Sequence, residues 1–277
     1  MTIDTISLTS GMRFNLFNLQ KTNALMETTQ TRLASGLKVN NALDDPVNYF
    51  AAESHRQRAS DLSIRKDGMQ EAIQTIKAAD NGISAISDLI AQAKSIVTSA
   101  RTASASDLTD LQSQYNTLLG QIDDLSGDSN YKGTNLLAGD SLTVDFDEGG
   151  DSSLTVSGFD ATSTGSDLNV TVAGTGSGEI DFSSVTDLNT AAGELDNAVN
   201  TLRLKEKTLS SNLSVVSTRQ DFTQKMIDTL QTGADNLTLA DMNEESANML
   251  MLQTRQALGT TSLSMASQAA QSILRLF

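Results

Sequence analysis

Cysteine and tryptophan are both absent from the 277 residues. No disulfide, thiol nucleophile or cysteine-bound metal is available to this chain. Proline occurs once, as Pro46, so helices can run long without interruption. Aromatic residues make up only 4% of the chain, too few for a thick globular core but enough for helices in narrow contact. Positive charge is scarce as well. Nineteen basic residues face 34 acidic ones, and the net charge of −15 argues against nucleic acid and anionic membranes as partners. No stretch approaches the roughly 20 apolar residues of a membrane-spanning helix. The start, MTIDTISLTSGMRFNLF, lacks a cationic leader followed by an apolar run and a small-residue cleavage site.

What the chain does have is heptad periodicity. Toward the end, alternating spacings of three and four place Met249, Leu252, Gln256, Gly259, Leu263, Ala266, Ala270, Ile273 and Phe277 on one helical face. A face this apolar needs a partner helix to bury it. Near the start, Met12, Leu16, Leu19, Asn23, Met26, Gln30, Leu33 and Leu37 form a similar stripe with two polar interruptions. A second helix carries Met69, Ile76, Ile83, Ile90 and Val97 seven residues apart. Ala72, Ala79, Ile86, Ala93 and Ala100 fill its complementary slots, and the alanines invite close approach. A third segment holds Leu108, Leu111, Tyr115, Leu118, Ile122 and Leu125, with Asp107 as the expected cap. A long helix then repeats Leu188, Leu195, Leu202, Leu209, Val216, Thr223, Leu230 and Leu237 every seventh residue. Heptads sustained this far predict coiled coil. The expected fold is mainly α, with long antiparallel coiled-coil helices from both chain ends and a small β-hairpin-containing insert.

The insert differs in composition. Residues 127–190 hold eleven acidic residues, one basic residue (Lys132) and ten of the 18 glycines. Leu142–Phe146 and Leu154–Val156 alternate around an Asp147–Ser153 turn and predict a hairpin. Leu168–Val172 is a further strand candidate. The whole segment is expected to face solvent.

Candidate chemical sites are weak. Asp145, Asp147, Glu148 and Asp151 cluster near Phe146, but their spacing does not fit a helix–loop–helix calcium site. His55 has no evident orienting partner for general-base work. Gly174, Gly176 and Gly178 are wrongly spaced for a dinucleotide loop. Asp44-Asp45-Pro46 reads as a turn that caps a helix, since proline favours the first helical position. No enzyme activity, metal or cofactor is implied.

Three segments carry a resemblance to a known family. RLASGLKVNNALDDP, residues 32–46, resembles the RLSSGLRINSAxDD segment of bacterial flagellins. LTLADMNEESANMLMLQTRQALGTTSLSMASQAAQSILRLF, residues 237–277, is similar to their C-terminal arm, and NYKGTNLLAG, residues 130–139, to the turn before their variable region. The chain looks most like the short alphaproteobacterial members. The resemblance implies a structural subunit that self-assembles into the flagellar filament for motility. The alternative is a hook–filament junction protein of the same superfamily, whose Asp-Asp-Pro segment is also similar.

The resemblance further implies three regions: residues 1–43 and 236–277 as the filament core, 44–140 and 186–235 as a helical outer tube, and 141–185 as a small acidic surface insert. It assigns Leu16, Leu19, Met26, Leu33, Leu252, Leu263, Ala266, Ala270, Ile273 and Phe277 to the filament core. Arg32, Gly36, Asn40, Asp44, Asp45 and Pro46 fall in the connecting spoke. Ile76, Ile83, Ile90, Val97, Leu195, Leu202 and Leu209 fall in outer-tube packing. Implied partners are further copies of the chain, the flagellar export apparatus, an export chaperone, hook-associated proteins and a filament cap. The implied destination is the extracellular flagellum, reached without a cleaved signal peptide.

Overall fold

The computed structural model describes residues 10–274. Five helices and one two-stranded sheet follow in the order α1 (Ser10–Ser35), α2 (Pro46–Ala100), α3 (Ala105–Asp128), β1 (Ser141–Asp145), β2 (Ser153–Ser157), α4 (Val185–Thr238) and α5 (Met242–Leu274). The fold is mainly α with a small antiparallel hairpin, as the heptads and the alternating insert predict. Among the described residues, no helix is long and apolar enough to cross a membrane. The chain forms two compact units, one from residues up to Gln57 and from Thr229 onward, the other from Arg58–Asp228.

In the Arg58–Asp228 unit, α2 and α4 run antiparallel. Lys66 donates to Gln224 at 2.9 Å, Gln220 to Gln70 at 2.8 Å, and Arg101 to Asn189 at 2.7 Å. Lys94 forms an ion pair with Asp196 between them. Thirty-five residues forward from Lys66 to Arg101 match thirty-five back from Gln224 to Asn189, so the register never slips. The every-seventh residues explain this constancy. Ile76, Ile83, Ile90 and Val97 are buried, and so are Leu195, Leu202 and Leu209. Ala72, Ala79, Ile86, Ala93 and Ala100 are buried as well, the alanines permitting close approach. Tyr115, Leu119 and Ile122 of α3 complete a three-helix layer. The α3 cap position is Ser104 rather than Asp107. Asp107 lies in the first turn, and its carboxylate accepts the Ser104 hydroxyl at 2.6 Å.

The hairpin pairs Ser141–Asp145 with Ser157–Ser153 in register. It does not stand free in solvent. Val144 and Phe146 pack with Met69, Ala72, Ile73 and Val216. Arg58 pairs with Glu148 and Arg65 with Asp145, tying the hairpin along α2, while the Arg219 guanidinium lies 5.2 Å from the Phe146 ring centre. The rest of the insert also folds back: Phe159, Ala161, Leu168, Val170, Ala173, Ile180 and Phe182 are buried. The expectation of a solvated protrusion thus fails, because ten apolar side chains between Val144 and Phe182 are buried in clusters with helix residues.

Leu168–Val172 is irregular rather than a strand. Its backbone is held partly by turns, with the Asn169 and Val170 N–H groups donating to the Gly165 and Ser163 carbonyls at 2.8 and 2.7 Å, and partly by side chains. Thr171 donates its N–H to Glu194 at 2.8 Å, and Asn116 clamps Ala173 by accepting its N–H at 2.8 Å and donating to its carbonyl at 2.7 Å.

The acidic residues of this segment act as local anchors. Asp140 accepts the Asn135 N–H, Asp147 that of Ser152, Asp160 that of Thr162 and Asp181 that of Ser183. Hydrogen bonds to the ionised form hold the Asp147, Asp160 and Asp181 carboxyls below the usual aspartate range. For Asp147 the leading donor is the Ser152 N–H; for Asp160 and Asp181 it is the hydroxyl of Thr162 and Ser183.

Candidate assembly interface

The other unit pairs α1 with α5, again antiparallel. Asn15 donates to Ser262 at 3.1 Å, Gln256 to Asn23 at 2.9 Å, and Arg32 to Glu245 at 2.9 Å. At the base of the pair, Leu37 bridges Leu239, and the Lys38 N–H donates to the Thr238 carbonyl at 2.8 Å. Thr238 is buried, and its hydroxyl accepts from Arg56 at 2.9 Å.

The inward residues of α5 follow the expected stripe. Leu252 is buried, and Met249, Gln256, Gly259, Leu263 and Ala266 are half-buried. Ala270 and Ile273 lie in α5, but their side chains are outside the described set, as is Phe277 entirely. A Cβ built on Gly259 would sit 2.7 Å from Leu19 Cδ2. Gly259 thus lets α5 approach Leu19 of α1 more closely than a residue with a Cβ would.

On α1 the stripe needs correction. Met12 is buried, and Leu19, Met26 and Leu33 are half-buried. The intermediate inward slots are Asn15, Thr22 and Thr29, not Leu16, Asn23 and Gln30. The same every-seventh residues allow either reading; the Asn15–Ser262 hydrogen bond and the Gly259–Leu19 approach select this one. Leu16 is left 39% exposed, outside the seam within this chain.

The spoke residues build the turn between α1 and α2. Gly36 follows α1 at φ +73°, a left-handed conformation that suits glycine, and its carbonyl accepts the Ala240 N–H at 2.9 Å. The Asp44 carboxylate accepts the Asn40 and Asn41 N–H groups at 3.0 and 3.1 Å. Asp45 accepts those of Val47 and Asn48, both at 3.1 Å, and so caps α2, whose first residue is Pro46. These bonds, the Asn48 N–H first among them, lower the Asp45 pKa. Arg32 is tied to the buried Glu245. Asp241 caps α5 in the same manner, accepting from Asn243 and Glu244 at 2.8 and 3.2 Å. Sequence reading misses the Arg32–Glu245 pair; its signal is that Glu245 falls on the α5 stripe, seven residues before Leu252.

Beyond the seam, the arms keep apolar side chains in solvent. Phe14, Phe17 and Leu25 on α1 are 66, 65 and 46% exposed. Met251, Leu258 and Met265 on α5, seven residues apart, are 45, 66 and 60% exposed. This is a second stripe on each arm, left exposed among the described residues. Among the described residues, no group of histidine and carboxylate side chains is arranged to hold a metal ion.

Coiled-coil helices from both chain ends, joined at a capped spoke and bearing surplus apolar stripes, define a self-associating structural protein. Residues 8–141 match the bacterial flagellin N-terminal helical region, and residues 192–277 match the bacterial flagellin C-terminal helical region. The chain belongs to the bacterial flagellin family. It is 29% identical to flagellin FljM of Caulobacter vibrioides over the whole of both chains. It is 27% identical to a flagellin of Brucella melitensis over 95% of each. A solved structure, that of Bacillus cereus flagellin, superposes with TM-score 0.47 at 19% identity, covering 56% of this chain and 88% of that one. The protein is a structural subunit of the flagellar filament outside the cell, not an enzyme, and the junction-protein alternative is not favoured.

Proposed function

We propose that α1 and α5 are the polymerisation arms, and that their second stripes lock onto arms of neighbouring copies. The observation that carries this is the exposed Met251, Leu258 and Met265 series on α5, a heptad face left over after α1 has been satisfied. Two stripes on one helix let each arm touch more than one partner. Contacts between unlike surfaces repeat head to tail, and they propagate into an open helical filament when the rotation per subunit does not close a ring.

In this reading, residues 1–43 and 236–277 line the filament core. Residues 44–140 and 186–235 form the outer tube, with the folded insert 141–185 on its surface. Of the assigned core residues, Leu19, Met26, Leu33, Leu252, Leu263 and Ala266 hold α1 against α5, while Leu16, Ala270, Ile273 and Phe277 act between copies. Arg32, Gly36, Asn40, Asp44, Asp45 and Pro46 hold the spoke, and Ile76 to Val97 with Leu195 to Leu209 hold the outer tube together. Helices draw most of their stability from packing an apolar face, so arms that cannot bury their stripes are marginal alone in water. Ordering the arms on docking then couples folding to correct placement. The family resemblance supports passage of the unfolded chain through the flagellar export apparatus without signal cleavage. It also supports an export chaperone on the C-terminal arm, hook-associated proteins and a filament cap as partners.

The test is seeded growth. Purified monomer added to sheared filament ends should elongate them under negative-stain microscopy. Monomer that stays dispersed at every concentration would refute the reading.

A further inference from the structure

Within the Arg58–Asp228 unit, α4 carries a second heptad series that the coiled coil with α2 does not use. Leu204, Thr208, Ser211, Val215, Thr218 and Phe222 follow spacings of four and three, and all six are exposed. Leu204, Val215 and Phe222 are 67, 43 and 53% exposed. The series contains no charge, and the 18 steps from Leu204 to Phe222 span about 27 Å at roughly 1.5 Å per residue. A stripe this narrow suits one further helix rather than a broad surface.

The same unit holds a surface of matching character. Between α2 and α3 runs a groove of about 540 Å³ lined by Gln92, Ile96, Ser99, Leu111, Gln114 and Leu118, among others, with no charged residue in its lining. Its α2 and α3 walls each span one heptad, Gln92 to Ser99 and Leu111 to Leu118, the same step as Val215 to Phe222. The flanks complement each other electrostatically. α3 carries Asp107, Asp110, Asp123, Asp124 and Asp128 and no lysine or arginine, whereas the α4 stretch 203–225 is net basic, with Arg203, Lys205, Lys207, Arg219 and Lys225 against Glu206 and Asp221.

We infer that the Leu204–Phe222 face of one copy docks into the α2–α3 groove of the next, with Val215 and Phe222 filling it. The two surfaces differ and lie on one compact unit, so the contact is heterologous and can repeat from copy to copy along an open filament. This inference rests on the filament reading and adds a contact independent of the terminal arms. Apolar–apolar packing with hydroxyl and amide groups at the edge supplies attraction. The opposed flanking charges help set register.

The absence of native cysteine makes the pairing directly measurable. Thr218 lies midway along the docking heptad and Gln114 midway along the groove, so their pairing does not depend on helix direction. Filaments grown from full-length chain carrying both Thr218→Cys and Gln114→Cys, treated with a short bifunctional thiol reagent, should give a ladder of covalent oligomers. Either single variant should give monomer only. Monomer alone from the double variant, or dimers from Thr218→Cys by itself, would overturn the assignment. In a second arm, Val215→Asp with Phe222→Asp should leave monomer helicity unchanged and slow seeded elongation roughly tenfold or more, since two charges would have to be buried unpaired. Elongation at the unsubstituted rate would overturn the inference. Unsubstituted chain in the same assay separates the two levels: if it fails to elongate, the filament reading itself fails.

Discussion

Gly82 lies inside α2, and the usual expectation for glycine there is that alanine would do better by about 1 kcal/mol. The structure reverses the sign. A Cβ on Gly82 would meet Leu137 Cδ1 at 2.6 Å and Ser129 Oγ closer still. Ser129 is not free to move without loss, because its hydroxyl donates to the Leu125 carbonyl at 2.7 Å at the end of α3. Leu137 is fully buried. Overpacking of this kind costs about 1–3 kcal/mol, and a weakened hydrogen bond adds about 0.5–1.5 kcal/mol. Against the helix gain, Gly82→Ala should destabilise by roughly 1–3 kcal/mol, equivalent to about 2–10 °C in Tm for a unit of this size. Gly120, in α3, has nothing within 4 Å of its Cβ position. Gly120→Ala should therefore raise Tm by a few degrees at most, for the ordinary helical reason. Thermal unfolding followed by circular dichroism on both variants makes the test. If Gly82→Ala stabilises as Gly120→Ala does, then α2 does not approach the 129–137 segment this closely and the packing described is wrong.

Three further outcomes are expected. Asn116→Ala leaves the Ala173 N–H and carbonyl without their partner, costing about 2–4 kcal/mol; limited proteolysis should then cut within 168–182 before the helices. Arg32→Ala should destabilise the α1–α5 pair more than Glu245→Ala, about 3 against about 1 kcal/mol, because Glu245 is 9% and Arg32 37% exposed, so the stranded carboxylate is the more deeply buried charge; hydrogen exchange of α1 and α5 amides reads the difference, and equal protection would contradict it. Acid should loosen the insert first. Asp147, Asp160 and Asp181 have lowered folded pKa values, so their contribution is present above the unfolded value of about 3.9 and is lost as pH falls through the folded values; amide exchange across 140–187 should rise below about pH 4 before that of α2, and Asp160→Asn should blunt the response.

The helices were legible because a seven-residue repeat says the same thing many times. Leu195, Leu202 and Leu209 each support one register, and a single misreading would not move it. The α1 seam was legible only by half. Met12, Leu19, Met26 and Leu33 were read correctly, but the slots between them depend on whether Leu16 or Asn15 turns inward, and that is decided by Ser262 and Gly259 on the far side of the chain. The insert was misread for a different reason. Its glycines and carboxylates suggest a solvated segment, whereas Asp140, Asp147, Asp160 and Asp181 each accept a nearby backbone N–H and let the apolar residues between them pack. Composition records that a residue is acidic, not that its oxygen points inward along its own chain. The Asn116–Ala173 clamp likewise replaces a strand with a side chain 57 positions away, beyond the reach of any local pattern.

The central claim is that the terminal arms drive assembly while the Arg58–Asp228 unit folds without them. Deleting residues 250–277 and adding the shortened chain to sheared filament seeds tests it most directly. The account predicts no elongation under negative-stain microscopy, together with a retained cooperative helical unfolding transition. Filaments of normal length and rate from the shortened chain would contradict it.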